Sequence, residues 1–570
     1  MRKYARAITK SSPLLAIAAC LLALIIVLLW YPSELFIAPM QNFDTPSHLY
    51  AVEKLLNNGA SEIFHLAANG GFYPPLFHIV ATLFVPIFGL FGGVSVAWII
   101  GAGIIFPLGM YFLVKEILIN VKARYKHFVL LFVPTLSVSF LAFPYSLLDI
   151  GTLYAYGFAV ALLPWFIMFT KRFWRSIADK ISKKSLMLTI FGVIASMVLV
   201  ILAQPRVLFL AIPIVLVDGI YFVVKQWKTN KKVAVTALLS GCGALAVFVV
   251  GIVYYVIKSL RSDLLWHPEK WFEGVVATHS WGEAILAWFS ASPNLFGAYF
   301  VSIIVIITTI VSLIFAIKKW KNEISQKFLI LYSLFGIIYV FCVSSVSGFA
   351  KIISAPWYQN GWRILAVLPI LIVPIFALAV IRLCEKMAQH NKIWPVFVVP
   401  TVIVACSASM LFGSASLKMK EQIINQTAFG AGVLFDESEL GVSRELDLES
   451  DSLILADPTT GANYISFFTS YDVVFPIINP DTARQEDLKN IIDAFSEADS
   501  GKLATEACAY SRPVYFTQFG GQSNVFGGEH ILLPWYGFHN QATIDSFVDK
   551  GVFQFVAGDG EYSFYKIICE

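Results

Sequence analysis

The segment after the first apolar stretch carries the residue pattern best suited to chemistry, because Asp44-Thr45-Pro46-Ser47-His48 begins a predicted helix there. A carboxylate just beyond a membrane span can be partly desolvated, which raises its pKa and suits it to accept a proton from a hydroxyl group. Asp44 could instead cap the helix that starts near Thr45, and the two roles can coexist. Asp44 is therefore the candidate general base, with the capping role left open.

Two histidines and a tyrosine accompany Asp44 in this loop. His48 follows it by one helical turn, and Tyr73 and His78 belong to the run Tyr-Pro-Pro-Leu-Phe-His. These side chains could bind an acceptor sugar, a phosphate or a divalent cation, although simple hydrogen bonding at the membrane surface is the commoner fate of such histidines. Two histidines and one aspartate without close spacing are a weak metal pattern, so no cofactor is predicted with certainty.

Further candidates share positions at the ends of predicted spans: Asp149, Gln204, Arg206, Arg261, Trp357, Tyr358 and Arg363. A guanidinium fork suits a phosphate or diphosphate at the head of a lipid, and the three arginines are candidates for that role. The alternative is that they reach ordinary lipid head groups, with Trp357 and Tyr358 as interfacial residues. Asp149 is a second carboxylate that could contact a substrate or an ion.

Composition requires the bilayer as the main solvent of this chain. Apolar residues make up 58% of its 570 residues and charged residues only 14%. Apolar runs near the roughly 20 residues needed to cross about 30 Å of hydrocarbon recur up to residue 413. The predicted spans are 12–31, 94–114, 128–143, 152–170, 186–203, 207–224, 233–257, 298–317, 328–346, 364–382 and 393–413.

The distribution of positive charge predicts the orientation. If residues 74–89 form a re-entrant or interfacial helix rather than a crossing, six loops rich in Lys and Arg fall in the cytoplasm. The first loop, 32–93, and the C-terminal residues 414–570 then lie outside the plasma membrane. With the basic loops assigned to the cytoplasmic face, no basic stripe remains, so nucleic acid is excluded as a partner.

The C-terminal part is predicted to be a soluble α/β domain. Residues 414–570 hold 9 Lys and Arg against 23 Asp and Glu, whereas residues 1–413 hold 32 against 14. Strands are predicted at 452–456, 473–477 and 513–517, and helices at 482–498 and 541–550. Cys508 and Cys569 are the only cysteines in this part, so a disulfide is an option if it lies outside. The predicted domains are 1–413, transmembrane, and 414–570, extracytoplasmic.

These motifs resemble the GT-C class of polyprenyl-phosphate-sugar-dependent glycosyltransferases. The resemblance rests on the Asp just past the first span, the amphipathic first loop, the Tyr-Pro-Pro helix and the external C-terminal part. The runs Asp44–His48, Tyr73–His78, Pro356–Tyr358 with Arg363, and Ala456–Pro458 with Gly461-Ala462 also resemble an actinobacterial family of largely uncharacterised membrane proteins. Gln204 stands where that family is expected to have a histidine, which puts its role in doubt.

The resemblance implies an α-helical polytopic membrane glycosyltransferase with Asp44 as catalytic base. It would move a sugar, with inversion, from a polyprenyl-phosphate donor to an envelope glycan or glycolipid acceptor. The residues contain no Gly-rich phosphate loop, which agrees with a lipid-linked donor. The alternatives are a transporter or flippase of a lipid-linked sugar and a non-catalytic scaffold that binds envelope glycan.

Overall fold

The computed structural model consists of apolar helices and one small mixed sheet. It describes residues 13–42, 44–68, 70–179, 182–259, 267, 276–292, 302–391, 393–427, 435–446, 448–449, 451–477, 486–519, 538, 540–558 and 562–569. Contacts divide the chain into two units, which are Met1–Tyr31 with Trp98–Lys420, and Pro32–Ala97 with Glu421–Glu570. The first loop thus groups with the C-terminal residues, while the predicted domain boundary after residue 413 stays a prediction.

Nine helical segments of the described chain are long and apolar enough to cross a membrane. They are Pro13–Trp30, Leu76–Ile117, Lys126–Asp149, Tyr154–Ala178, Lys183–Ala203, Pro205–Thr229, Glu323–Ser344, Gly361–His390 and Trp394–Thr427. Two further helices, Lys231–Ser259 and the shorter Ile303–Lys318, match the remaining predicted spans. The predicted helical membrane fold is confirmed.

Burial separates the central helices of the first unit from the peripheral ones. The most apolar stretches of Lys126–Asp149 and Gly361–His390 are buried throughout, whereas those of Lys183–Ala203 and Pro205–Thr229 expose most of their residues. Side chains exposed on such apolar helices are suited to contact lipid rather than water. The two buried stretches therefore lie in the core of this unit.

Two buried carboxylates tie helices of the first unit together. Asp218 pairs with Lys171 at 2.5 Å and with Lys327 at 2.9 Å. Glu116 pairs with Arg172 at 3.2 Å and with Arg175 at 3.1 Å. The four cations belong to the loops and helix ends predicted to face the cytoplasm, and each carboxylate is at most 7% exposed. These pairs neutralise charges that would otherwise be costly to bury.

The predicted re-entrant helix is separated from the span that follows it by a reversal of the chain. A Cβ atom on Gly93 would lie 2.8 Å from the Ala81 carbonyl oxygen and 2.9 Å from the Val85 side chain. In a continuous helix, residues 81 and 93 would be about 18 Å apart along the axis. The chain therefore folds back near Gly89, whose φ of 73° interrupts the helix Leu76–Ile100.

The C-terminal residues form a five-stranded sheet covered by helices, which confirms the predicted α/β class. The strands are β1 Leu453–Ala456, β2 Asp472–Val473, β3 Val514–Phe519, β4 Phe553–Gly558 and β5 Tyr562–Ile567, in the order β2-β1-β3-β5-β4. β1 is parallel to β2 and β3, while β5 is antiparallel to β3 and β4. The described α-helices that follow residue 427 are Glu437–Glu445, Ile465–Phe468, Glu486–Glu497, Ser500–Cys508 and Gln541–Asp549.

The sheet is held by an aromatic core and by a disulfide. Phe495 lies 4.3 Å from Phe538 and 5.0 Å from Phe516, measured between ring centroids. Cys508, at the end of its helix, is bonded to Cys569, which follows β5. The disulfide that the sequence left open is therefore formed, and it links the end of the C-terminal strand to the helices that cover the sheet.

Candidate functional site

Asp44 does not cap the helix Thr45–Asn58 with its side chain, so the predicted capping role is wrong. Asn42 takes that role, because its Oδ1 accepts hydrogen bonds from the Asp44 amide at 3.1 Å, the Thr45 amide at 3.1 Å and the Thr45 hydroxyl at 3.0 Å. Asp44 has helical backbone angles, whereas a capping residue is usually extended. The carboxylate of Asp44 is thus not committed to holding the helix.

His48, Tyr73 and His78 come together in the second unit. His48 Nδ1 lies 3.0 Å from His78 Nε2, and the two rings stack with centroids 5.2 Å apart. Tyr73 packs edge-on against both rings, at 6.1 Å from His48 and 5.4 Å from His78. Both histidines are buried and Tyr73 is half-buried.

Hydrogen bonding assigns the tautomers of this histidine pair. His78 Nδ1 lies 3.1 Å from the Pro74 carbonyl, which can only accept, so Nδ1 carries a proton. In the neutral ring Nε2 then accepts from His48 Nδ1. His48 Nε2 is consequently the acceptor nitrogen of a neutral His48, one helical turn after Asp44.

Arg206 and Arg363 converge on one tyrosine ring in the first unit. The Cζ atom of Arg206 lies 3.2 Å from the ring centroid of Tyr358, and that of Arg363 lies 4.9 Å from it. Arg363 also lies 5.6 Å from the ring of Tyr156, whose hydroxyl donates to the Arg363 carbonyl at 2.9 Å. Within the described residues Arg363 has no carboxylate partner, and its Nε is buried without a hydrogen bond. Two guanidinium groups placed in this way suit an anionic ligand.

The turn that carries Tyr358 is held in a sparsely populated backbone conformation. Tyr358 and Gln359 have φ angles of 54° and 52°, which L residues rarely adopt. The Gln359 side-chain amide donates to the Ser345 carbonyl at 2.9 Å, and Trp357 is buried beside it. Such conformations persist where surrounding contacts determine them, and they cluster at functional sites.

Gln204 places Arg206 by ending one helix before the next begins. Its extended backbone angles, φ −168° and ψ 106°, follow from the proline that comes next. Arg206 then lies in the single turn Pro205–Val207 that precedes the helix Leu208–Thr229. The sequence placed Arg206 at this break correctly; Arg261 lies outside the described residues.

Asp149 is a buried carboxylate on a short helix that contacts the helix carrying Arg363. It is 6% exposed, and its Oδ1 has no hydrogen-bond partner within the described part of the chain. The short helix that ends at Asp149, Ser146–Asp149, contacts the helix Gly361–Leu365 that carries Arg363. A buried oxygen without a protein partner is costly unless a water, an ion or a ligand pairs with it.

Comparison of the sequence with models of known protein families shows the family to which the chain belongs. A model described as "Family of unknown function (DUF6541)" matches residues 2–569. The chain belongs to this family. No curated protein matches this DUF6541 sequence.

Solved structures are similar to the DUF6541 chain in fold. ArnT from Cupriavidus metallidurans in the apo state matches with a TM-score of 0.51 at 10% identity, over 96% of this chain and 97% of ArnT. ArnT bound to undecaprenyl phosphate matches with a TM-score of 0.51 at 11% identity and the same coverage. The oligosaccharyltransferase of Archaeoglobus fulgidus, in complex with Zn and sulfate, matches with a TM-score of 0.40 at 11% identity, over 97% of this chain and 72% of that one. The ArnT similarity confirms the predicted GT-C-like fold.

No metal group is found among the described residues of this DUF6541 protein, in the sense of three or more neighbouring His, Cys, Asp or Glu side chains. A bound divalent cation stays a hypothesis from the sequence.

Three residues that contact the candidate site were not predicted from the sequence. Tyr156, Asn42 and Tyr464 each form a hydrogen bond with a candidate residue or with the segment beside it. Tyr156 and Tyr464 carry no local sequence signal, because their roles depend on contacts distant in sequence. Asn42 does carry one, because an Asn two or three residues before a helical amide is a good capping residue.

Glu53, on the helix that begins after Asp44, is predicted to make stability depend on pH. Burial, and then repulsion from Asp472, raise the pKa of Glu53 from 4.5 to about 7. The folded state therefore binds this proton more tightly than the unfolded state, so this contribution to stability is present below about pH 4.5 and is lost as the pH rises towards 7. We expect Glu53→Gln to match the wild-type melting temperature at about pH 4 and to exceed it at about pH 8.

Thermal unfolding of the purified protein across this range measures the effect. Glu445→Gln, which changes an exposed carboxylate of the same unit, should follow the wild type at every pH. A constant difference between Glu53→Gln and wild type over the whole range would contradict the raised pKa.

Proposed function

We propose that this protein is a membrane glycosyltransferase that moves a sugar from a polyprenyl-phosphate donor to an envelope glycan or glycolipid acceptor. The observation that carries the proposal is the convergence of Arg206 and Arg363 on Tyr358, in a fold similar to that of ArnT. ArnT is described bound to undecaprenyl phosphate, a lipid whose head group is the anion that such an arginine pair suits. His48, Tyr73 and His78 are assigned to the acceptor, and Asp149, Gln204 and Trp357 to the surroundings of the donor.

The proposed reaction is a single displacement with inversion at the sugar C1. The acceptor oxygen attacks C1 while its proton passes to the carboxylate of Asp44. The bond between C1 and the phosphate oxygen breaks, and its electron pair stays on the phosphate. The growing negative charge on that phosphate is stabilised by the guanidinium groups of Arg206 and Arg363, which require no bound nucleotide.

The proposed location is the plasma membrane, with the N-terminus in the cytoplasm and the C-terminal part outside. Three observations support it: the agreement of the basic loops, the apolar helices, and the disulfide between Cys508 and Cys569. Disulfides persist in oxidising compartments and are rare in the cytosol. Polyprenyl-phosphate sugars are the donors suited to that side, because nucleotide sugars are absent from it.

Purified full-length protein in detergent provides the test. We expect labelled sugar to pass from a polyprenyl-phosphate donor to a membrane glycolipid acceptor, and not from the corresponding nucleotide sugar. Absence of transfer from a panel of polyprenyl-phosphate sugars, together with movement of these donors across vesicles that contain the protein, would instead support the transporter. Transfer from nucleotide sugars alone would contradict the proposed donor.

A further inference from the structure

The segment Met40–Asn42, which lies shortly before Asp44, is held by residues of the C-terminal part, within the second unit. Gln41 is 2% exposed, and its side-chain amide pairs with one peptide unit: Nε2 donates to the Phe435 carbonyl at 2.6 Å, and Oε1 accepts from the Phe435 amide at 2.7 Å. The Gln41 backbone amide donates to the Gln426 carbonyl at 3.0 Å. Gln41 is thus bound on both its main chain and its side chain.

Tyr464 holds the same peptide through its hydroxyl group. The oxygen accepts a hydrogen bond from the Asn42 amide at 3.2 Å. Its proton is shared between the Asn42 carbonyl at 3.3 Å and the Met40 carbonyl at 3.4 Å. The side chain is completely buried, and its ring stacks on Phe435 at 6.5 Å. The Tyr464 hydroxyl therefore satisfies buried backbone groups of the residues on both sides of Gln41. Leaving these groups without hydrogen bonds would cost stability.

Asn42 connects this segment to Asp44 through hydrogen bonds. Its main chain is bound by Tyr464, while its Oδ1 accepts from the amides of Asp44 and Thr45. The backbone of Asp44 is therefore linked to the C-terminal part through a single intervening residue. No comparable connection would be needed if the C-terminal residues only formed a separate glycan-binding module.

We infer that Tyr464 and Gln41 are positioning residues, which hold the Asp44 peptide so that its carboxylate meets the acceptor hydroxyl. The C-terminal residues then take part in transfer by fixing the base, although they contribute no reacting group themselves. This inference rests on the proposed function. Displacement of a reacting group by about 1 Å can cost about a hundredfold in rate, so small changes in this support should be measurable.

The test compares Tyr464→Phe with Tyr471→Phe in the full-length protein. Tyr471 is a matched control, because its hydroxyl also donates to a backbone carbonyl and accepts from a backbone amide, those of Leu446 at 2.7 Å and Leu448 at 3.2 Å. We expect Tyr464→Phe to lower kcat about tenfold while KM for the lipid donor stays within about twofold. Tyr471→Phe should keep the wild-type kcat even where the two variants lose similar thermal stability.

A double-mutant cycle with Asp44→Asn separates positioning from general destabilisation. If Tyr464 acts through Asp44, Tyr464→Phe should not lower further the residual rate of Asp44→Asn. Wild-type kcat in Tyr464→Phe, an equal loss in Tyr471→Phe, or additive losses in the double variant would each overturn the inference. In all three of these cases the wild type still transfers sugar and Asp44→Asn transfers it far more slowly, so the proposed function would stand.

Discussion

Replacement of Asp44 by Asn is expected to reduce sugar transfer by about 10²- to 10⁴-fold, the range that general acid–base catalysis contributes. Asn keeps the size of the side chain but cannot take the proton of the acceptor hydroxyl at neutral pH. Because Asn42, and not Asp44, caps the helix Thr45–Asn58, the substitution removes no capping bond. The melting temperature should therefore stay close to that of the wild type while kcat falls.

The measurement is kcat for transfer by purified protein, with Glu34→Gln as the control. Glu34 is another carboxylate of the first loop, in the short helix Ser33–Phe36, and its removal should leave transfer unchanged. Full activity in a folded Asp44→Asn protein would show that the base lies elsewhere. Asp149, with its unpaired buried oxygen, would then be the next carboxylate to replace.

The helical membrane part could be predicted from the sequence because its cause is local. A run of about 20 apolar residues crosses the hydrocarbon almost regardless of its neighbours, and positive loops distinguish crossings from other apolar helices. The separation of residues 74–89 from the span 94–114 followed from this charge pattern alone. The reversal near Gly89 agrees with it, since the glycine supplies the positive φ that the turn requires.

The C-terminal sheet was predicted only in part, because strand pairing is not local. β1 is a continuous apolar run and β3 is buried at five of its six residues; both lie inside the sheet, and both were predicted. β4 and β5 were missed. β5 lies between β3 and β4, an order that does not follow the sequence. β4 is an edge strand whose side chains are mostly exposed, so its apolar residues do not mark one buried face as they do in a half-buried strand.

Within the candidate site, the sequence predicts which residues are present but not which of them performs each role. Asn42 and Asp44 are both good capping residues, and only the backbone angles decide which one caps: Asp44 is already helical. The positive φ of Tyr358, which brings its ring beneath Arg206, is imposed by surrounding packing and by the hydrogen bond of Gln359. Tyr464 acts over more than 400 positions of sequence, so no motif could have revealed it.

Replacement of Arg206 and Arg363 is expected to cause the second large loss of activity. Arg363→Gln should lower kcat/KM for the polyprenyl-phosphate donor by about 10- to 100-fold, because a hydrogen bond to a charged group contributes roughly 1.5–3 kcal/mol. The double variant Arg206→Gln with Arg363→Gln should lose more than either single variant. Arg363→Lys should recover only part of the activity, since an ammonium group keeps the charge but not the planar fork that binds two phosphate oxygens.

Initial rates at varied donor concentration measure this effect, and Arg382→Gln is the matched control. Arg382 is exposed and pairs with Glu385 at 3.0 Å, an arrangement that contributes little to stability, so its removal should leave kcat/KM unchanged. Free polyprenyl phosphate should inhibit the wild type more strongly than the Arg363→Gln variant, because the pair is proposed to bind the phosphate itself. Equal inhibition of both proteins, or an unchanged kcat/KM in the double variant, would show that the arginines on Tyr358 serve the packing of the helices and that the donor phosphate is bound by other residues.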